Sequence, residues 1–308
     1  MDELVVLFGG GGFLGRYVAQ ELLRSGARVR IAERDPLDSF FLKPLAALGQ
    51  AQSVRADITN RESVARVVQG ATAVINLVGL LKGKFEAVHV DGAANVAKAA
   101  AAAGVKRLVQ ISAIGADPAA ESTYARTKGL GEQAVRAAFP GAVIIRPSIL
   151  FGPEDGFVNK FAGLISKAPV LPVIRPNTRF QPAWVVDVAR AVAKIALSPS
   201  LAGKTFELGG PQILSMLELH NWIAQAIAHR PTFVSVPDPI AAAMARLGFL
   251  PGAPITWDQW LMLQHDNVVT TGAKGFADLG IAPTPLAAVA PTWLVRYRRH
   301  GRFSLNAA

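Results

Sequence analysis

The stretch VVLFGGGGFLGRYV, residues 5–18, decides the fold. An apolar run enters four consecutive glycines, and an amphipathic pattern opens directly after them. The glycines satisfy G-x-x-G-x-x-G through Gly9, Gly12 and Gly15, and G-x-G-x-x-G through Gly10, Gly12 and Gly15. Both readings carry the same physics. Glycines permit a tight strand-to-helix turn, and their bare backbone lets a pyrophosphate sit at the helix N-terminus. A glycine pattern alone is weak evidence. One that follows a strand and opens a helix has the confirming context. Gly9, Gly10, Gly12, Phe13, Leu14 and Gly15 are therefore the first candidate cofactor contacts.

Outward from this turn the pattern alternates. ELVVLFG, RVRIAE, AQSVRAD, AVINLVG, RLVQIS and AVIIRPS are short and rich in Val and Ile, as buried parallel strands are. Between them lie helical patterns such as LGRYVAQELLRSG, RESVARVVQG and TYARTKGLGEQAVRAAF, several closed by glycine (Gly26, Gly70, Gly104). The alternation predicts an α/β fold, a doubly wound parallel sheet over 1–150. After Pro147 prolines crowd in. WVVDVARAVAKIAL and GKTFELGG then read as a helix and a strand, so 183–210 is expected to return to the sheet. Residues 151–182 and 211–308 are expected to form a smaller, mostly helical lobe for substrate or partner.

The end of the second strand, IAERDP, bears on cofactor choice. Glu33 stands where an acid would accept from the adenosine ribose of NAD, and Arg34 where a cation would meet the 2′-phosphate of NADP. The arginine can pair bidentately with phosphate, so NADP(H) is favoured over NAD(H). Asp57 is a candidate adenine contact or a helix cap. Ile58 beside it, with Val78 and Gly79 at the end of AVINLVG, completes the cofactor set.

STYARTKG, residues 122–129, puts Tyr124 and Lys128 four apart, on one face of a helix. The pair reads as a general acid/base with its tuning ammonium, or as a packing residue beside a ribose clamp. Composition removes other chemistry. The chain has no cysteine, which excludes disulfides, thiolate nucleophiles and Cys-ligated metals. Its five histidines show no ligand spacing, so no metal is expected.

Net charge is +10, with 18 basic and 13 acidic residues in 1–150 and 14 and 9 in 151–308. That even spread gives no nucleic-acid arm. The tail WLVRYRRHGRFSLNAA, with Arg296, Arg298, Arg299 and Arg302 and no acid, reads as a solvated terminus or as a contact for anionic lipid or an acidic subunit. With no signal peptide and no membrane-length apolar run, a cytoplasmic protein is expected, peripheral at the inner face of a membrane if the tail binds lipid.

LFGGGGFLGRYV, INLVG, YARTK, IIRPSILFGPED and QPAWVVDVARAV together resemble the atypical or extended short-chain dehydrogenase/reductases, NAD-dependent epimerase/dehydratase-like proteins, in that family's order. RPSILFGPEDGFVNKFA and DLGIAPTPL are similar to one branch, the NADPH-binding accessory subunits of respiratory complex I and their bacterial relatives. The resemblance implies a Rossmann fold holding NADPH, in a structural role or a link to ubiquinone synthesis. It also implies that Tyr124 moves the substrate proton while Lys128 binds the nicotinamide ribose and lowers the phenol's pKa. A serine pair is usual after the fifth strand. Here QISAIGAD gives Ser112 and then Ala113 at the position that normally acts, so Ser112 is a catalytic candidate only if the register shifts by one. The short Ser112–Tyr124 gap speaks against a sugar-nucleotide pocket. Two functions remain open: an NADP(H)-holding scaffold or assembly subunit, and an oxidoreductase or epimerase for a hydrophobic, quinone- or isoprenoid-like substrate.

Overall fold

The computed structural model describes residues 3–250, 252–299 and 301. Seven strands make the main sheet: β1 (Leu4–Phe8), β2 (Arg28–Glu33), β3 (Ala51–Arg55), β4 (Ala73–Asn76), β5 (Arg107–Ile111), β6 (Val143–Pro147) and β7 (Thr205–Leu208). Their order is β7-β6-β5-β4-β1-β2-β3, and every pair is parallel. After β3 the chain crosses back past β1 to start β4. Strand order therefore reverses between β1 and β4, and a crevice opens there at the strands' C-terminal ends, where ligands bind in open α/β sheets.

Five helices cover the sheet: α1 (Phe13–Arg24), α2 (Arg61–Val67), α3 (Ala93–Ala102), α4 (Thr123–Ala138) and α5 (Val185–Leu197). Helices α2, α3 and α4 bury Val64, Val96, Ala100 and Val135 against Val6, Phe8, Val74, Leu108 and Ile144 of the strands. Helices α1 and α5 pack together. Successive strand residues point to opposite faces, so two covered faces demand unbroken apolar runs. Val5, Val6, Leu7 and Phe8 are all buried accordingly.

Two compact units divide the chain. The first comprises Met1–Pro147, Val185–Leu208 and Thr270–Ala282. Its last segment lies along β7: the Glu207 N–H donates to the Lys274 carbonyl at 2.8 Å, and the Thr270 N–H donates to Glu207 Oε2 at 2.8 Å.

The second comprises Ser148–Trp184, Gly209–Val269 and Pro283–Ala308. It combines two-stranded pairs, such as Val170–Ile174 with Thr232–Val236, and the helices Val158–Ile165, Met216–Ala226, Asp238–Arg246 and Trp257–Met262. Phe151, Leu219, Ile223, Leu286 and Leu294 are in its core. Two tail arginines make hydrogen bonds within this unit. Arg296 Nη2 donates to Asn159 Oδ1 at 2.7 Å and to the Pro153 carbonyl at 3.0 Å, and Arg298 donates through Nε and Nη2 to the Ala226 carbonyl. They tie residues 296–298 to the rest of this unit, and Arg302 lies outside the described residues.

Candidate functional site

The glycine turn is shaped by backbone contacts that no side chain would permit. Gly9 has φ +82°. Its N–H donates to the Ala32 carbonyl at 3.2 Å, and its own carbonyl accepts from the Gly12 N–H at 3.2 Å. A Cβ on Gly15 would lie 2.1 Å from that Gly9 carbonyl oxygen. Helix α1 can therefore start flush against the turn. Gly12 is its N-cap and supplies no capping side chain, so first-turn N–H groups face outward for an external acceptor. Phe13 and Leu14, in that first turn, are half-buried, and Phe13 stands edge-on to Tyr17 with centroids 6.2 Å apart. A strand-to-helix turn with a bare N-terminus at the switch point fits a dinucleotide pyrophosphate.

At the end of β2, Glu33 turns inward and accepts a hydrogen bond from the Gly11 N–H. Burial raises its carboxyl pKa, with Asp38 adding to the effect and the Gly11 bond opposing it. Arg34 is exposed. After β3, Asp57 Oδ1 accepts from the Thr59 N–H at 2.9 Å and from the Thr59 hydroxyl at 2.7 Å, which pulls its pKa below the usual carboxylate range. The cap of α2 is Asn60, which accepts from the Ser63 N–H at 2.9 Å. The side chain of Ile58 belongs to the core, and its carbonyl accepts from Asn95.

Two residues absent from the sequence reading organise the loop after β4. Asn76 is wholly buried opposite Gln110 of β5. Its Nδ2 donates to Gln110 Oε1 at 2.9 Å, and its Oδ1 accepts from the Val78 N–H at 3.1 Å. Gln110 Nε2 donates to the Ile111 carbonyl at 3.0 Å, and Lys128 Nζ donates to the same carbonyl at 3.1 Å. The second residue is His89, in the π-helical stretch Ala87–Gly92. The Leu80 N–H donates to His89 Nε2 at 2.9 Å, so the ring proton is on Nδ1, which is 3.0 Å from Thr127 Oγ1. Thr127 passes its own proton to the Thr123 carbonyl at 2.7 Å. Burial, with the Lys128 charge beside it, pushes His89 down to about 3, so the ring is neutral near pH 7. A Cβ on Gly131 would lie 2.1 Å from the His89 carbonyl oxygen. That missing atom lets α4 close onto the π turn.

Lys128 is buried, and its amine is pushed down to about 8 by burial, against the opposing pull of Glu132. Glu132 is itself held by Arg146, which donates Nε to Oε1 at 2.9 Å and Nη2 to Oε2 at 2.7 Å and reaches Glu207 at 3.4 Å. Gly79 is the neighbour on the other side, with space for a Cβ only 3.2 Å from Lys128 Nζ. The Tyr124 ring stands edge-on to His89 at 5.5 Å and to Phe85 at 6.2 Å. Burial pushes its phenol up to about 12. The direction is opposite to the lowering that the family resemblance implies.

Ser112 donates its N–H to the Ile145 carbonyl at 2.7 Å, which pins the strand register. Its hydroxyl is enclosed, with no hydrogen-bond partner among the described residues, whereas Ala113 is half-exposed. Across all described residues no cluster of three His, Asp or Glu side chains could hold a metal, and no helix is long and apolar enough to cross a membrane.

The chain matches the NAD dependent epimerase/dehydratase family over residues 5–209. It is 33% identical over 310 residues to the NADH-ubiquinone oxidoreductase 40 kDa subunit, mitochondrial, of Neurospora crassa, covering 98% of this chain and 81% of that one. It is 32% identical over 241 residues to ceramide reductase of Caulobacter vibrioides, covering 77% of this chain and 74% of that one. The NADPH-dependent quinone oxidoreductase of Escherichia coli, complexed with NADPH, superposes with a TM-score of 0.78 at 20% identity, covering 94% of this chain and 99% of that one. With its glycine turn at the β1–β4 switch point and the Tyr124/Lys128 pair on α4, the chain belongs to the NAD dependent epimerase/dehydratase family.

Proposed function

We propose that the protein holds NADP(H) in a scaffold or assembly role, as an accessory subunit beside a respiratory or quinone-related complex. The carrying observation is the pair after β5: the Ser112 hydroxyl is enclosed, and Ala113, at the more open position, offers only a methyl where a hydroxyl would polarise a substrate oxygen. One such donor is worth about 3–4 kcal/mol of transition-state stabilisation. The similarity to the Neurospora crassa subunit supports the reading. The first unit takes the nucleotide; the second takes the partner.

In this reading the pyrophosphate lies on the α1 N-terminus. Lys128, fixed by the Ile111 carbonyl, donates to the nicotinamide ribose, and Arg34 meets the 2′-phosphate while Glu33 stays bonded to Gly11. The cofactor would supply hydride chemistry when bound. Identifying the nucleotide released when the purified protein is denatured tests this. Near-stoichiometric NADPH is expected, and an empty or NAD-loaded site would sink it.

A second reading, reduction of a hydrophobic carbonyl substrate, is favoured by the intact Tyr124 on the Lys128 face of α4 and by the similarity to ceramide reductase. Oxidation of bound NADPH by long-chain ketones or quinone precursors, abolished in Tyr124→Phe, would establish it in place of the first. A peripheral position at the inner, cytoplasmic face of a membrane is part of the same proposal.

A further inference from the structure

The helix Asp238–Arg246 turns Ala241 and Ala245 into its unit, yet its outward face is apolar as well. Ile240 and Leu247 are each 54% exposed there, with Ala243 between them. The chain then protrudes through Phe249, 79% exposed, and Leu250. Gly248 folds this turn back, since a Cβ there would lie 2.6 Å from Thr256 Cα. That reversal brings Trp257 under the Arg246 guanidinium, 5.3 Å from the ring centroid, with Trp260 stacked behind at 4.8 Å. A helix apolar on both faces is normally covered.

Charge selects the cover. Between residues 239 and 257 the sequence PIAAAMARLGFLPGAPITW contains one charged residue, Arg246, and no acid. Asp238 at the helix start is ion-paired with Arg175. Protruding Phe and Leu, a Trp at their edge and a single cation over it are the make-up of a segment that lies in the headgroup layer of an anionic bilayer. A second copy fits poorly, because each copy carries a net charge of +10, and the two carboxylates bracketing the segment are already engaged, Asp238 with Arg175 and Asp258 with a partner of its own. Arg296 and Arg298, the tail residues first expected to serve such a contact, are engaged within their own unit.

We propose that residues 239–250, with Trp257 beside them, dock the protein on an anionic lipid surface, with Leu247, Phe249 and Leu250 entering the acyl boundary and Arg246 meeting a phosphate. This does not rest on the nucleotide reading. The test is co-sedimentation of the full chain with phosphatidylcholine vesicles containing one-third phosphatidylglycerol, and with phosphatidylcholine alone. Stronger binding to the anionic vesicles is expected. Phe249→Asp with Leu250→Asp should weaken it by at least about tenfold, and Arg246→Gln by about fivefold on anionic vesicles only. Leu48→Asp, a fully exposed residue of the first unit, should change nothing. In the unaltered protein, lipids brominated near the headgroup should quench tryptophan fluorescence, so the proposal stays testable if a variant misfolds. Absence of binding, equal binding by the Phe249/Leu250 variant, loss with Leu48→Asp, no quenching, or a dimer that the variant dissolves would each overturn it.

Discussion

An ammonium as enclosed as that of Lys128 gives up hydration that one carbonyl and one nearby carboxylate replace only in part. The sign of its effect follows. The unfolded chain keeps this proton up to a pKa near 10.5 and the folded chain only to about 8, so the group's contribution to stability rises with pH between those values and is a full cost below about 8. Lys128→Met should therefore not lower the melting temperature at pH 7, since the Ile111 carbonyl keeps Gln110 and Glu132 keeps Arg146. The same variant should bind nucleotide about 10- to 100-fold more weakly, the range of one charged hydrogen bond. Unaltered protein should lose affinity as pH rises through about 8, a trend that calorimetric titration would show.

His89 carries the same sign in a more acid window. Its unfolded form takes a proton below about 6.5 and its folded form only below about 3, so stability drains as pH falls between them. His89→Gln, which can still accept from Leu80 and donate to Thr127, should flatten urea-derived stability between pH 6 and 4. His89→Phe loses both bonds and should cost roughly 1–3 kcal/mol at pH 7. In the sequence this histidine shows only as one histidine in FEAVHVDGAANVAKAAAAAG with no second histidine near it, so a search for metal spacing passes over it.

Elements read more clearly than side chains. Strands β1 to β6 and helix α1 were legible because burial on both faces requires unbroken apolar runs and a glycine turn has one structural use. The Asn76–Gln110 bridge was not, since INLVG and RLVQIS show one amide each and only the β4–β5 register pairs them. The close fit of α1 predicts that Gly15→Ala, which forces backbone atoms apart, destabilises the protein by about 3 kcal/mol or more and removes nucleotide binding together with it. Arg146 stands between two carboxylates that are each under one-tenth exposed. Arg146→Met should cost about 3 kcal/mol in chemical denaturation, because it strands buried charge rather than merely deleting a bond.

For the whole molecule, occupancy should report itself as stability. A nucleotide that binds only the folded chain adds about 2.7 kcal/mol at a hundredfold excess over its dissociation constant, so NADPH should raise the melting temperature by several degrees more than NADH. Equal shifts would remove Arg34 from cofactor choice. No sequence signal announced that Thr270–Ala282 belongs with the first unit. Its attachment runs through the Glu207 backbone and carboxylate, contacts between residues more than sixty apart that no local pattern encodes.

That late strap has a consequence during synthesis. Strand β7 is the outer edge of the sheet, and an uncovered edge invites pairing with another chain. The ribosome delivers β7 long before it delivers Lys274, so a nascent chain that has finished every strand of the nucleotide domain still carries a bare border. A fragment cut at residue 209, where the family match ends, would keep that border permanently. It should emerge as aggregate, whereas one extended through Ala282 has the means to seal itself.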